Sequence, residues 1–282
     1  MRHLLATVQA ALAERYLVKR EVGRGSMAGV FFAWDHNLEC DVAIKVLRPE
    51  FGPTIIGERF HREIAFLKVL DHPNILPILD SGEAQTLTYF TMPFAHGDTL
   101  GTRVSRESPL PIDEALRVAK HVASAIDHAH SKGIIHRDIK PENVVFEQDQ
   151  AMVCDFGVAR ALVSAGRERL SSSGMIVGTP EYMSPEQASG EWDIGEPADI
   201  YALGCVVYTM LAGQPPFTGP TTQAVLARHV AAEVPSLRIV RPEVPTQIEQ
   251  ALARALAKEP ALRPRTAREF LDDMESCYTA DA

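Results

Sequence analysis

The chain has 282 residues, of which 46% are hydrophobic and 23% are charged, and these values are close to globular averages. The composition excludes a collagen-like chain, a coiled coil and wholesale disorder. The length allows one large domain or two small ones. The 37 acidic and 28 basic residues give a net charge of -9, which argues against a general nucleic-acid-binding protein, because neutralising phosphates requires clustered lysine and arginine.

The four cysteines are Cys40, Cys154, Cys205 and Cys277. None forms a C-x-x-C pair, so neither a zinc site nor a disulfide framework is predicted. We expect reduced thiols in a reducing compartment, which favours the cytoplasm. No apolar run reaches the ~18 residues that a membrane helix needs. We therefore expect no membrane segment here, although the intracellular domain of a longer membrane-anchored protein would look the same.

The N-terminal segment has two readings. Leu4, Val8 and Leu12 recur at intervals of four, which predicts an amphipathic helix or extension over residues 1–13. Ala11-Leu12-Ala13 also resembles a signal-peptidase site. Gln9 interrupts an apolar stretch that is already very short, and this favours the helix over a secretory signal.

Further along the chain, β-branched and aromatic runs come first and helical patterns follow. The predicted strands cover residues 16–22, 30–34, 41–47, 76–80 and 86–92. The predicted helices cover residues 58–70 and 113–131, and from about residue 200 further helices are separated by proline-rich turns. The last helix begins at a capping-box sequence, Thr266-Ala267-Arg268-Glu269. The order predicts a mostly β lobe followed by a mostly α lobe.

Two clusters in the β lobe suit phosphate binding. Gly23-Arg24-Gly25-Ser26-Met27-Ala28-Gly29 is a glycine-rich loop, in which backbone N–H groups can approach phosphates. Strand-like residues follow it, so the loop is predicted at the tip of a hairpin. The second cluster, Val42-Ala43-Ile44-Lys45, places a lysine at the end of an apolar run, where it needs a carboxylate or phosphate partner, and Glu63 is the candidate. Taken singly, an ordinary hairpin turn and a solvated lysine explain these patterns as well.

Two clusters in the α lobe combine polar groups with buried-strand signals. His136-Arg137-Asp138-Ile139-Lys140-Pro141-Glu142-Asn143 lies between two apolar runs, and so many polar groups are costly there unless they pair or bind a ligand. Asp155-Phe156-Gly157 follows a short apolar strand pattern, and an acid at a strand end suits a metal ligand. Alone, each cluster could also be a turn of solvated residues.

In this order and spacing the four clusters resemble the signature set of protein kinases. The similarity continues with Gly178-Thr179-Pro180-Glu181-Tyr182-Met183-Ser184-Pro185-Glu186, which resembles the end of a kinase activation segment. Asp199-Ile200-Tyr201-Ala202-Leu203-Gly204 resembles the start of the central C-lobe helix. Arg263 stands where the family has an arginine that pairs with Glu186. The resemblance covers nearly the whole chain, and six ordered clusters make it highly specific.

Subfamily signals point to serine and threonine as acceptors. Lys140, two residues after Asp138, and Thr179 resemble Ser/Thr kinases rather than tyrosine kinases. Arg59-Phe60-His61-Arg62-Glu63 and Ser184-Pro185-Glu186-Gln187 resemble the bacterial eukaryotic-like Ser/Thr protein kinases.

The resemblance implies a bilobal α+β fold. We expect a small N-lobe at residues 14–92, with an antiparallel five-stranded sheet and one main helix. A hinge at 93–96 and a larger, mostly α-helical C-lobe at 97–278 complete the expected kinase domain.

The resemblance also implies ATP and Mg²⁺ as cofactors, with Mn²⁺ as a substitute. Adenine would lie between the lobes, with Met92 as gatekeeper. The expected nucleotide-binding residues are Val22, Gly23, Gly25, Val30, Ala43, Lys45, Met92, Pro93, Ala95, Asn143, Val145 and Asp155. Pro93 has no N–H and offers only its carbonyl, whereas Ala95 can offer its N–H.

The implied catalytic roles fall to few residues. Lys45, fixed by Glu63, would hold the α and β phosphates, and Asn143 and Asp155 would coordinate the metal. Asp138 would orient the substrate hydroxyl, with Lys140 and Thr179 close by.

Regulation is implied as well. Arg137 and Arg160 would read a phosphate on the activation loop, since two guanidinium groups repel each other until an anion pairs with them. We expect autophosphorylation at Ser171 or Ser173, with Ser172 as a further acceptor.

Three hypotheses remain at this point. The first is an active Ser/Thr protein kinase acting on protein substrates. The second is a catalytically weak pseudokinase or scaffold module, and the third is a small-molecule phosphotransferase of kinase-like fold. A homodimer through the N-lobe is a further expectation from the bacterial family. No nucleic-acid partner is expected.

Overall fold

The computed structural model describes residues 2–25, 28–48, 53–156, 179–191 and 193–276. These residues divide into two compact units. The N-terminal unit contains residues up to Asp71 together with Leu76–His96. The C-terminal unit contains His72–Ile75, Gly97–Phe156 and the described residues from 179 onward.

The N-terminal unit is built on a five-stranded antiparallel sheet with the order β1-β2-β3-β5-β4. Its elements are α1 (Arg2–Leu12), β1 (Tyr16–Arg24), β2 (Ala28–Asp35), β3 (Cys40–Leu47), α2 (Pro53–Leu67), β4 (Asp80–Ala84) and β5 (Leu87–Pro93). One face of the sheet packs on α1, where Val8 and Leu12 are buried against strand residues such as Phe31 and Ile44. Gln9 of α1 donates from Nε2 to the Val18 carbonyl at 3.0 Å, so this polar residue ties the helix to β1.

The fourth strand is not where the apolar pattern predicts it. The sequence predicts a strand over residues 76–80, but the paired residues are Asp80–Ala84, which form a hairpin with β5. The apolar residue Leu76 is buried in irregular backbone instead. The apolar pattern therefore marks buried residues and not the paired strand. The strand pairing with β5 lies next to the turn at Gln85, whose positive φ of 56° suits a tight turn.

Helix α2 covers another part of the sheet. Its described side chains Phe60 and Ile64 are fully buried, and Phe60 lies 6.4 Å from the Phe90 ring of β5. His61 contacts Ser81 and Glu83 of β4 through its two ring nitrogens. The helix begins and ends earlier than the predicted 58–70, because Pro53 suits a first helical turn and residues 68–69 form a turn.

The C-terminal unit is mostly helical. Its elements are α3 (Leu100–Glu107), α4 (Ile112–Ser131), β6 (Val144–Glu147), β7 (Gln150–Val153), α5 (Pro185–Ala188), α6 (Pro197–Ala212), α7 (Thr222–Ala231), α8 (Leu237–Val240), α9 (Thr246–Ala255) and α10 (Ala267–Glu275). Short 3₁₀ turns occur at Pro141–Asn143, Pro180–Tyr182 and Pro260–Leu262. Nearly every residue of α6 is buried, so this helix is the centre of the unit. No helix among the described residues is both long and apolar enough to cross a membrane.

Helix starts agree only in part with the capping signals. Thr266 accepts a bond from the Glu269 N–H at 3.0 Å, as the capping-box sequence predicts. The Glu269 side chain does not return the bond to Thr266; it accepts from the N–H of Arg265 instead. The full reciprocal box is at Ser184 and Gln187, at the start of α5.

Candidate active site

The predicted catalytic residues of the C-terminal unit form one hydrogen-bonded group. Lys140 Nζ donates to Asp138 Oδ2 at 2.7 Å, and Asn143 Nδ2 donates to the same oxygen at 3.1 Å. Asn143 Nδ2 also donates to the Asp138 carbonyl at 2.8 Å. The 3₁₀ turn Pro141–Asn143 closes the loop and brings Asn143 back to Asp138. Both donors meet Oδ2, so Asp138 Oδ1 receives neither of these bonds.

The backbone before Asp138 is anchored to the buried helix α6. Asp199, which is fully buried, accepts from the N–H of His136 through Oδ2 and from the N–H of Arg137 through Oδ1, both at 2.8 Å. Arg137 has a φ of 69°, a strained region for a residue other than glycine. Two charge-assisted bonds at this point hold the strained backbone.

His130 of α4 completes the surroundings of Asp199. Its Nε2 lies 2.8 Å from Asp199 Oδ2, and both side chains are almost fully buried. Burial lowers the pKa of His130, but hydrogen bonding to Asp199 and the Asp199 charge outweigh it, so the pKa is raised. For the Asp199 carboxyl, burial has the opposite effect and raises the pKa. His130, His136 and the Arg137 N–H together outweigh burial and lower the Asp199 pKa below its ordinary value. Each side chain therefore favours the charged form of the other.

His136 links Asp138 to the Asp155 segment. Its Nδ1 accepts from the Asp138 N–H at 3.1 Å, which places the ring proton on Nε2, and Nε2 donates to the Cys154 carbonyl at 2.9 Å. The Phe156 ring packs edge-on against His136, with centroids 4.5 Å apart. The Cys154 N–H donates to the Asn143 carbonyl at 2.9 Å. These bonds fix Asp155 near the Asp138 group, and its φ of 66° is again strained.

Arg137, predicted to read a phosphate, donates from Nη2 to the Ile194 carbonyl at 3.1 Å, and its own carbonyl accepts from Gln187 Nε2 at 2.8 Å. Thr179, predicted beside the catalytic group, immediately precedes the 3₁₀ turn Pro180–Tyr182.

The carboxylate of Glu186 forms a bidentate ion pair with Arg263, with both N–O distances at 2.8 Å. That pairing confirms the prediction for Arg263.

The N-terminal unit carries the predicted phosphate-binding residues. Strands β1 and β2 on either side of the glycine-rich loop pair antiparallel, as a hairpin requires, with Gly23 opposite Val30, whereas Ser26 and Met27 lie outside the described residues. Gly25 donates its N–H to the Ala28 carbonyl at 2.8 Å. Ala28, which stands where the resemblance to protein kinases implies the third glycine of the loop, is the first residue of β2. Val22 lies on the exposed part of β1.

Strand register brings several predicted nucleotide-binding residues side by side. Val30 lies opposite Lys45, and Ala43 lies opposite Met92. Lys45 Nζ is 5.9 Å from the centroid of the Phe90 ring. Pro93 ends β5, and Ala95 follows it in irregular backbone.

Several predictions are not tested by these contacts. The Lys45–Glu63 ion pair stays a prediction. Arg160 and the proposed phosphorylation sites Ser171, Ser172 and Ser173 lie outside the described residues. Val145 lies in β6, next to the Asp138 group in sequence.

Two supporting residues were missed by reading the sequence. Asp199 was recognised only as the start of a helix, although an acid at a buried helix start, far from any cation in sequence, signals a long-range partner. Gln187 was recognised only within a family motif, although the Ser-x-x-Gln spacing of Ser184 and Gln187 is a capping-box signature.

Comparison with known proteins shows which proteins this sequence is similar to. The sequence profile of the protein kinase domain matches residues 16–276. The serine/threonine-protein kinase PrkC of Bacillus subtilis is 38% identical over 272 residues, which cover 96% of this chain and 41% of PrkC. The serine/threonine-protein kinase PknB of Mycobacterium tuberculosis is 37% identical over 284 residues, which cover 98% of this chain and 45% of PknB. The chain thus spans less than half the length of these relatives.

A solved structure shows the same fold. The crystal structure of Rad53 1-466 in complex with AMP-PNP superposes with a TM-score of 0.76 at 24% sequence identity, covering 93% of this chain and 65% of the Rad53 chain. This similarity supports the fold.

Proposed function

The chain belongs to the protein kinase domain family, and on that premise we propose that it transfers the γ-phosphoryl group of Mg–ATP to serine or threonine hydroxyls of protein substrates. One observation carries the proposal. Asp138 is held by Lys140 and Asn143 through a single carboxylate oxygen, Oδ2, and the other oxygen is directed to neither of them. The names of PrkC and PknB as serine/threonine-protein kinases support the choice of acceptor.

In the proposed mechanism, Asp138 orients the substrate hydroxyl and accepts its proton. Phosphoryl transfer depends mainly on positioning and on neutralising charge, and Asp138 is positioned by backbone as well as by side-chain bonds. Its own N–H donates to His136 Nδ1, and the preceding peptide is anchored to Asp199. Lys140, 2.7 Å from Asp138, would also face the negative charge of the phosphoryl group.

Asn143 and Asp155 are suited to hold a divalent cation. Asn143 uses Nδ2 as a donor to Asp138, which leaves its amide oxygen for a ligand. Mg²⁺ is a hard cation that binds oxygen atoms, and it is typically held by one or two carboxylates together with substrate phosphates and water. The cation would neutralise phosphate charge; we propose Mg²⁺, with Mn²⁺ as a substitute.

In the N-terminal unit, the proposal assigns the α and β phosphates to Lys45, with Glu63 as its partner. The adenine would contact Val30, Ala43 and Met92, which the sheet register places close together. A pseudokinase usually lacks one or more of the lysine, the base or the metal ligands, whereas this sequence retains all of them.

Regulation and location are further proposals. We propose that phosphates on Ser171 or Ser173 are read by Arg137 and Arg160. The described cysteines Cys40, Cys154 and Cys205 are free thiols, which supports action in a reducing compartment such as the cytoplasm. Dimerisation through the N-terminal unit remains a prediction.

The direct test is to incubate the purified chain with Mg–ATP and a generic basic protein and to map phosphorylated residues by mass spectrometry. Asp138→Asn is expected to lower the rate at least ~100-fold, since a positioned general base contributes about that much. Asp149→Asn removes the same charge from an exposed turn of the same unit and serves as the matched control. An inactive parent, or an Asp138→Asn variant as active as the parent, would contradict the proposal. Phosphotyrosine as the main product would contradict the acceptor assignment.

A further inference from the structure

An arginine just beyond strand β3 is bonded to the glycine-rich loop. Arg48 follows Leu47, the last residue of β3, and its Nη2 donates to the Gly25 carbonyl at 2.9 Å. The two bonded residues are 23 positions apart in the chain, so the bond joins two separate segments of the N-terminal unit. Arg48 lies outside the clusters that carry the kinase resemblance.

The sheet register explains how this side chain reaches the loop. Ala28, the first residue of β2, lies opposite Leu47 at the end of β3, so Arg48 leaves the sheet at the end where the glycine-rich loop lies. Strand β2 stands between β3 and β1, and neighbouring strands are about 4.8 Å apart. Only a long side chain can extend from the end of β3, past the start of β2, to the residue that follows β1. An arginine has that reach, and its planar guanidinium offers five N–H donors.

The bond from Arg48 completes the restraint of Gly25, the residue that follows β1. The Gly25 N–H donates to the Ala28 carbonyl at 2.8 Å, and the Gly25 carbonyl accepts from Arg48. Both backbone polar groups of Gly25 are therefore engaged, one with β2 and the other with the residue after β3. Glycine has more backbone freedom than any other residue, so a bond at each end of Gly25 limits the motion of the loop where it leaves the sheet.

A restrained loop binds phosphates more tightly than a free one. Backbone N–H groups of such loops bind phosphate oxygens, and a loop that is already held in place loses less conformational entropy when the anion binds. We propose that Arg48 is a positioning residue for the phosphates of ATP: through the Gly25 carbonyl it holds the start of the glycine-rich loop against β2 before the nucleotide binds. This inference rests on the proposed function. It concerns the phosphates alone, because that function assigns the adenine to other residues of the sheet.

Three substitutions test the bond against the charge of the arginine. Arg48→Met removes the donor, whereas Arg48→Lys keeps a donor on a long side chain. Arg20→Met removes the same charge from another exposed position of the same sheet, on β1. By calorimetry we expect Arg48→Met to raise the Kd for ATP roughly 2- to 10-fold, the value of one hydrogen bond, and to leave the Kd for adenosine unchanged. Arg48→Lys and Arg20→Met are expected to stay within about 2-fold of the parent for ATP.

Hydrogen exchange supplies a readout that needs no nucleotide. The Gly25 amide is expected to exchange faster in Arg48→Met than in the parent, and at the parent rate in Arg20→Met, with the same unfolding midpoint for all variants. Unchanged exchange at Gly25, or equal increases in the Kd values for ATP and adenosine, would overturn the inference. A parent that binds ATP through this loop but phosphorylates no protein would defeat the proposed function and leave the role of Arg48 standing. An active parent whose affinity for ATP is the same in Arg48→Met would defeat this inference alone.

Discussion

Replacing Arg263 with methionine is expected to destabilise the C-terminal unit by about 3–5 kcal/mol, because it leaves the Glu186 carboxylate buried without its partner. The Arg263 side chain is fully buried and the Glu186 side chain is 8% exposed. Burial raises the pKa of Glu186, but the bonds to Arg263 more than reverse this and lower it. The carboxylate is thus ionised in a site where it cannot be rehydrated without opening the structure.

The magnitude follows from what the guanidinium does. Two of its N–H groups bond to the two oxygens of Glu186. The other three donate to the carbonyls of Ala257, Pro197 and Lys258. All five donors of the arginine are therefore used. Methionine fills a similar volume but satisfies none of these acceptors, so the upper half of the range is expected.

A matched control is available on the surface of the same unit. Arg254 also contacts two carboxylate groups, those of Glu269 and Asp273, but its side chain is 41% exposed. Arg254→Met is expected to cost less than about 1 kcal/mol, because water solvates both the cation and the acids left behind. Both variants remove a guanidinium group that pairs with carboxylates, and they differ in how deeply that guanidinium is buried.

Urea unfolding followed by circular dichroism at 222 nm measures both variants, since most helices of the described chain lie in the C-terminal unit. Thermal midpoints should fall by roughly 6–20 °C for Arg263→Met. Combining it with Glu186→Leu should recover much of the loss, since a buried ion pair can be exchanged for apolar packing at little cost. A loss below about 1 kcal/mol, or equal losses in Arg263→Met and Arg254→Met, would refute the assignment of the loss to a stranded charge.

Two further predictions concern other parts of the C-terminal unit and the hairpin. A Cβ added at Gly97 would lie 2.3 Å from the Phe146 carbonyl oxygen, whereas one added at Gly23 meets nothing within 4 Å. Gly97→Ala should therefore lower the unfolding free energy by about 1–3 kcal/mol. Gly23→Ala should leave the unfolding free energy nearly unchanged in the same urea titration. The raised pKa of His130 means that its pairing with Asp199 contributes stability in full below the unfolded pKa of about 6.5 and loses it as the pH rises through the higher folded pKa. The difference in stability between the parent and His130→Gln should accordingly be larger at pH 6 than at pH 9, and a difference that does not change with pH would contradict the ion pair.

Local sequence patterns were sufficient where the structure depends on neighbours in the chain. The alternation of Val42, Ile44 and Val46 predicts a strand with one buried face, and β3 has that face. The Asp138 group could be predicted because its members lie within a few residues of one another, and a short turn is enough to bring them together.

The same reasoning failed where the deciding partner is distant. An apolar run predicted β4 at residues 76–80, but burial in irregular backbone looks the same in sequence as burial in a strand. The capping-box sequence at Thr266 predicts the helix start correctly. The Glu269 carboxylate, however, accepts from the N–H of Arg265 and pairs with the guanidinium of Arg254. Spacing alone does not decide which of several nearby donors a carboxylate will accept from.

Asp199 shows why the support of the site lay beyond sequence reasoning. It bonds to the N–H groups of His136 and Arg137, 63 and 62 residues away in the chain, and to the ring of His130, 69 residues away. A buried carboxylate is stable only with such partners. Because Asp199 is buried in α6, the backbone before Asp138 has to lie next to it and supply N–H donors. The loop that carries Asp138, the proposed base, is therefore held by a buried residue that has no proposed contact with the reactants. Substitutions of Asp199 should disturb the geometry of Asp138 even when Lys140 and Asn143 remain in place.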